Sequence, residues 1–165
     1  MRVYLPTTPA ALADAVRTGS FPASAGHAVT PAIREWYAAG DTEELEYAAL
    51  TEAAEASLRL IAAEPDGVRR RVVLAADLPD PLVSPGGRFR SSVSVAGPVD
   101  LDAVASVHVD EPDAEATVAE AARALPAADA GDEDARFLLD EAEARELLWY
   151  DASELPHLFP PPAGG

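Results

Sequence analysis

Four stretches of the chain run from a short apolar segment, through a polar residue suited to capping, into a helical pattern: "VYLPTTPAAL", "AVTPAIREW", "VHVDEPDAEA" and "LWYDASELP". Thr8 and Thr30 stand directly before Pro9 and Pro31, which places a capping hydroxyl ahead of a proline at the first helical position. Turns of this kind belong to folds that interleave strands with helices, so the chain is restricted to α/β or α+β architecture. In open α/β sheets, the edge where strand ends meet helix N-termini is where ligands bind. The same residues are also accounted for as helix caps worth about 1 kcal/mol each, and this plainer reading is favoured.

The remaining elements can be read between these turns. "RVYL" (2–5) and "HAVT" (27–30) predict short strands, and "TTPAALADAVRTG" predicts a helix that Gly19 ends. The longest helix is expected at about 42–63. Asp41 and Glu44 form a capping box at its start, and Leu45, Ala49, Ala53, Ala56 and Leu60 recur at helical spacing up to Pro65-Asp66-Gly67. "RRRVVLAAD" (69–77) has an unbroken apolar run, which implies a strand buried on both faces at a central position. "SSVSVA" (91–96) and "AVASVHVD" (103–110) alternate instead, with Ser94, Ser106 and His108 opposite the apolar positions, so each should have one lightly covered side.

"LPDPLVSPGGR" reads as a mobile loop, "PDAEATVAEAARAL" (112–125) as a helix and "PAADAGDEDA" as an acidic connector. "RFLLDEAEARELLWY" (136–150) admits either a helix or a hairpin of two strands, with a strand favoured at "ELLWY". A second Asp-x-x-Glu box, Asp151 to Glu154, should cap "DASELPHLF". Together these elements predict one α/β (or α+β) domain over residues 1–159. Its mixed sheet of five to six strands should be packed mainly on one face, by the long helix and the helix at 112–125. A disordered Pro/Gly tail follows at 160–165.

Charge and composition limit the function. The 165 residues carry 29 acids against 12 cations, a net charge of -17 at pH 7. Such a field repels phosphate backbones and anionic membranes, so neither nucleic acid nor a membrane is expected as partner. It favours solubility and basic partners. Without Cys there are no disulfides, thiolate metal sites or thiol nucleophiles. "MRVYLPTTP" is too short and polar for a signal peptide, and a cytoplasmic location is expected. Every cation is Arg, and Lys, Asn and Gln are absent, which reads as the codon bias of a GC-rich genome.

Motifs with a chemistry are few. No Gly-x-Ser-x-Gly, Walker or Gly-x-Gly-x-x-Gly sequence occurs, and "SPGGR" lacks the helix a phosphate loop needs. "RRR" (69–71) is too small a basic cluster for nucleic acid against the overall charge, and it reads as a guard against edge aggregation. Of His27, His108 and His157, only His108 has an acid on the same strand face, Asp110, a pairing that could poise a general base near neutral pH. The acids of "EELE" and "GDEDA" lack the ligand ladder of a calcium loop, so no metal or cofactor is expected.

"AVTPAIREWYAAGDTEELEYAAL" (28–50) is the richest stretch. Ile33 and Tyr37 share a helical face with Trp36 beside it, which favours the two aromatics as anchors to the core. Contact with a protein partner ranks second, because aromatics beside Arg are common at interfaces. Arg34 is placed to meet an acid of the next helix. The candidate binding residues are Thr30, Arg34, Trp36, Tyr37, His108, Asp110 and Trp149.

The segments "MRVYLP", "AVTPAIREWY", "GDTEELEYAAL", "ADAGDEDARF" and "ELLWYDASELP" resemble a family of small actinobacterial proteins classed as a domain of unknown function. The likeness covers nearly the whole chain apart from the loop around 80–90 and the tail. It implies an intracellular protein of a high-GC bacterium, carries no activity or cofactor, and supports the hairpin at 136–150. The expected function is a non-enzymatic cytoplasmic binding or regulatory protein that contacts a macromolecular partner, as a monomer or small homo-oligomer. An enzyme or small-ligand binder at the strand-to-helix edge is the alternative.

Overall fold

A computed structural model of the chain describes residues 1–159, and the Pro/Gly tail expected at 160–165 lies outside the described residues. The strands are β1 (Arg2–Thr7), β2 (Ser20–Phe21), β3 (Ala25–His27), β4 (Val72–Asp77), β5 (Val83–Pro85), β6 (Ser92–Val95), β7 (Val99–Asp100), β8 (Val104–Val109) and β9 (Leu148–Asp151). The helices are α1 (Pro9–Thr18), α2 (Pro31–Trp36), α3 (Thr42–Ala62), α4 (Glu115–Asp129), α5 (Glu133–Glu143) and α6 (Leu155–Leu158). Seven strands form one sheet in the order β5-β6-β3-β1-β4-β8-β9, while β2 and β7 pair as a separate ribbon.

Every strand pair in the sheet is antiparallel. The fold is therefore α+β, and the expectation of a mixed sheet of five to six strands is corrected on both counts. The additional strand, β5, lies in the segment read as a mobile loop. It is three residues long, too short to show periodicity, and its pairing partner β6 defines it. The turn that follows depends on Gly87, at φ 141°. A Cβ there would also stand 2.6 Å from that of Ser92, so no other residue fits.

Central β4 is buried through Val72, Val73, Leu74, Ala75 and Ala76, as its apolar run predicts. Cover comes from both sides. Val3, Leu5, Val72, Leu74, Val107 and Val109 face α1, the β2–β7 ribbon and α6. Tyr4, Val73 and Ala75 face Ala49, Ala53 and Ala54 of α3. Small side chains let α3 approach the sheet closely. A third cluster joins Leu58 and Ile61 of α3 to α4 and α5. Helices thus cover both faces, not mainly one.

Local signals placed the helices well. Thr8 Oγ1 accepts from Ala11 N, Thr30 Oγ1 from Ile33 N and Asp41 Oδ1 from Glu44 N. Asp151 instead accepts from Ser153 N, opening a short turn in place of the expected box. The buried stripe of α3 passes through Ser57 and Ile61, not Ala56 and Leu60. Ser57 reaches the sheet, donating to Thr7 O at 2.7 Å and accepting from Val72 N at 3.0 Å.

Residues 136–150 form no hairpin. Asp132 caps α5 by accepting from Ala135 N, and Ala135, Leu139 and Ala142 bury one helical face, while the favoured strand at "ELLWY" is present as β9. Helix α4 continues past Pro126 into the supposed connector, where Asp129 pairs with Arg59 at 2.9 Å and 3.0 Å. Among the described residues no helix is long and apolar enough to cross a membrane.

Candidate functional site

The four strand-to-helix turns do not converge. Because neighbouring strands alternate in direction, β1 and β8 end on one edge of the sheet and β3 and β9 on the other. The common ligand edge of a parallel sheet does not exist here.

The predicted site residues fall into three separate places. Asp110 is fully buried at the end of β8. It accepts from Arg71 N at 2.7 Å, Nε at 2.8 Å and Nη2 at 2.8 Å, while Arg71 Nη2 also donates to Arg145 O. Arg70 Nε donates to Asp110 O, and Arg69 donates to Ile61 O and Pro65 O. The "RRR" cluster therefore ties β4 to its neighbours. It does not guard an edge.

His108 makes no pair with Asp110, whose carboxylate is taken by Arg71, so the base–acid pairing that their shared strand face allowed is not formed. Its Nε2 lies 3.5 Å from Ser106 Oγ, its ring meets Tyr4 edge-on at 6.4 Å, and burial, then Arg2, pulls its pKa down. The sheet does bring His108 opposite Trp149 across β8 and β9. Trp149 is 62% exposed on this edge strand.

Thr30, Arg34, Trp36 and Tyr37 belong to α2 and its end. Within Pro31–Trp36 Ile33 is the buried residue and anchors the helix, with the capping Thr30 buried before it; Trp36 is 61% exposed and Tyr37 42%, so the expected aromatic anchors are surface residues. A helix of six residues has room for one inward position per turn, and Ile33 occupies it. Arg34 forms no ion pair among the described residues. Arg90 instead reaches over from the loop before β6, with its guanidinium carbon 3.5 Å from the Trp36 ring centroid, while Thr30 Oγ1 donates to Arg90 O.

Behind this stack lies a network that the sequence reading left dispersed. Ser91 is buried and donates to Glu52 Oε2 at 2.6 Å. His27 Nδ1 lies 2.8 Å from the same hydroxyl, in the donor role left to it. Burial holds the His27 pKa down to about 4. With its proton directed at Glu52 and no exposure, Ser91 is placed as a bridge between α3 and β6 and not as a nucleophile. Its signal was absent from the sequence because the three residues are far apart along the chain.

Glu52 also borders a concave surface. An open trough of about 880 Å³ runs beside α3, lined by Tyr37, Asp41, Glu43, Glu44, Tyr47, Ala48, Thr51, Glu52 and Glu143. No cation lines it. Tyr47, Thr51 and Glu143 also border a smaller pocket of about 140 Å³. Its floor is Leu50, Ala54, Leu58, Leu139, Ala142 and Leu147, and Glu55 and Glu146 stand among its polar residues. Arg71 and Arg145 line the pocket too, with their charges met by Asp110 and Glu111. Sequence reading flagged Tyr37, but it missed Tyr47, Glu143 and the apolar floor, which come from segments that meet only through the packing of α3 and α5.

No curated protein and no solved structure matches the chain. Residues 1–159 match a family of unknown function (DUF6912), to which the chain therefore belongs.

Proposed function

We propose that the protein is a non-enzymatic binding or regulatory protein of the cytoplasm that contacts a protein partner through the trough beside α3. One observation carries this reading: two exposed tyrosines and five carboxylates line a single concave surface that holds no cation. Aromatic side chains supply contact area at low entropic cost, and a one-signed field steers partners of opposite charge. A trough this open does not enclose a small molecule as ligand pockets do. The all-Arg cation set and the absence of Lys, Asn and Gln support an origin in a high-GC, actinobacterial genome.

The test is capture from native lysate at physiological salt, read by mass spectrometry. Wild type is compared with Glu43→Gln/Glu44→Gln/Glu143→Gln. A control neutralises three exposed acids around α4, Asp113→Asn/Glu115→Gln/Glu120→Gln. A partner held by wild type and the control but lost from the trough variant is expected. Identical captures by all three proteins, or none by any, would sink the reading.

A further inference from the structure

The trough and the pocket together specify what kind of segment fits. We propose that they hold a basic segment of the partner chain, with one aliphatic side chain seated in the pocket at the junction of α3, α5 and residues 145–147. This inference rests on the function proposed above.

Size gives the first argument. At about 140 Å³ the pocket is well below the roughly 300–1,000 Å³ of a ligand site. It is close to the roughly 150 Å³ apolar cavity that takes one benzene-sized guest. A single aliphatic side chain matches this volume, and the Leu and Ala floor matches its chemistry. Polarity is the second argument. Arg71, the buried charge in the lining, is bound by both Asp110 oxygens and by Arg145 O, so an apolar guest does not displace it from a partner.

Charge sets what surrounds the anchor. Glu143 lies at the shared border, and Asp41, Glu43, Glu44 and Glu52 extend the acidic wall along the trough. On the trough side, Arg or Lys flanking the aliphatic residue would meet carboxylates and no cation, and Tyr37 and Tyr47 are exposed there for guanidinium stacking. A second copy of this chain, at -17, would meet repulsion instead. A phosphorylated or acidic segment is rejected on the same ground.

The experiment is selection of random display peptides of about a dozen residues against the full chain, followed by anisotropy titrations with the labelled winner. Enrichment of Arg and Lys around one Leu, Ile or Met is expected. Thr51→Met, which projects a longer side chain where trough and pocket join, should weaken the winner by about tenfold or more at an unchanged melting temperature. Replacing the peptide's aliphatic residue with Ala should weaken it by a similar factor, and this arm needs no altered protein. Glu43→Gln/Glu44→Gln should flatten the salt dependence. The inference is overturned by selection without basic enrichment, or by a winner indifferent to loss of its own aliphatic residue. It is also overturned by a lysate partner that needs the trough but is not displaced by the winner, a result that leaves the broader reading standing.

Discussion

Arg71 and Arg90 each reach a side chain distant in sequence, in opposite surroundings. Arg71 and Asp110 are buried, joined by two side-chain hydrogen bonds and linked to the backbone on both sides. Arg90 is exposed and lies over Trp36, itself mostly in water. The buried guanidinium cannot lose its carboxylate without leaving an uncompensated charge, whereas water replaces the exposed contact. The first pair therefore holds the fold, and the second leaves an aromatic surface free for other uses.

The largest effect should come from Asp110→Ala. Removing one member of a buried pair costs about 3–5 kcal/mol, and urea unfolding should show a loss of that size. If Trp36→Ala shifts the midpoint as far, the contrast fails.

Next is acid sensitivity. The folded pKa of His27, about 4, lies below the 6.5 of a free imidazole because the ring is buried. As pH falls, the unfolded chain takes up this proton first. The contribution of His27 is thus complete above about pH 6.5 and is lost progressively down to about pH 4, on the order of 3 kcal/mol in all. His108, also depressed by burial, acts in the same direction. Asp77, Asp129 and Asp151, held below the usual carboxylate range, lose their contributions only at lower pH. Stability measured across this window should slope clearly less in His27→Leu than in wild type. An equal slope removes His27 from the account.

A smaller loss is expected for Ser57→Ala. Its hydroxyl satisfies Thr7 O and Val72 N, and leaving them buried without a partner costs about 1–3 kcal/mol. Amide exchange at Val72 would show the site opening. A protected Val72 amide in the variant would mean that β1 and β4 close the gap themselves.

The smallest effect belongs to Trp36→Ala. It removes an exposed cation–π contact worth about 0.5–1 kcal/mol, so unfolding should move by no more than that. A loss of about 3 kcal/mol or more, as for a core aromatic, would put Trp36 in the scaffold.

Only part of this contrast was legible in the residues. Ile33 and Tyr37 do lie one helical turn apart, but periodicity cannot say where a six-residue helix stops facing the core. Asp110 was correctly marked as unusual yet given the wrong partner. His108 is two residues away on the same strand, whereas Arg71 is reached only because β4 and β8 pair in register. Residues 136–150 stayed open between a hairpin and a helix followed by a strand because a segment of Ala, Leu and Glu fits either form. The cap at Asp132 and burial against α4 decide for the helix.

By itself the sequence determined what depends on neighbours a few residues apart. Thr8, Thr30 and Asp41 cap helices because a side-chain oxygen can reach an amide three positions on. The apolar run of β4 demands cover on both faces wherever it lies, and the charge of -17 follows from counting. The tertiary structure alone decided the antiparallel order of the sheet, the Arg71–Asp110 pair, the Glu52–Ser91–His27 bridge, and the trough and pocket built from α3, α5 and residues 145–147. Each of these joins segments far apart along the chain. Their meeting is set by strand register and by which faces remain after the core is filled, quantities that belong to the whole packing and to no short stretch of residues.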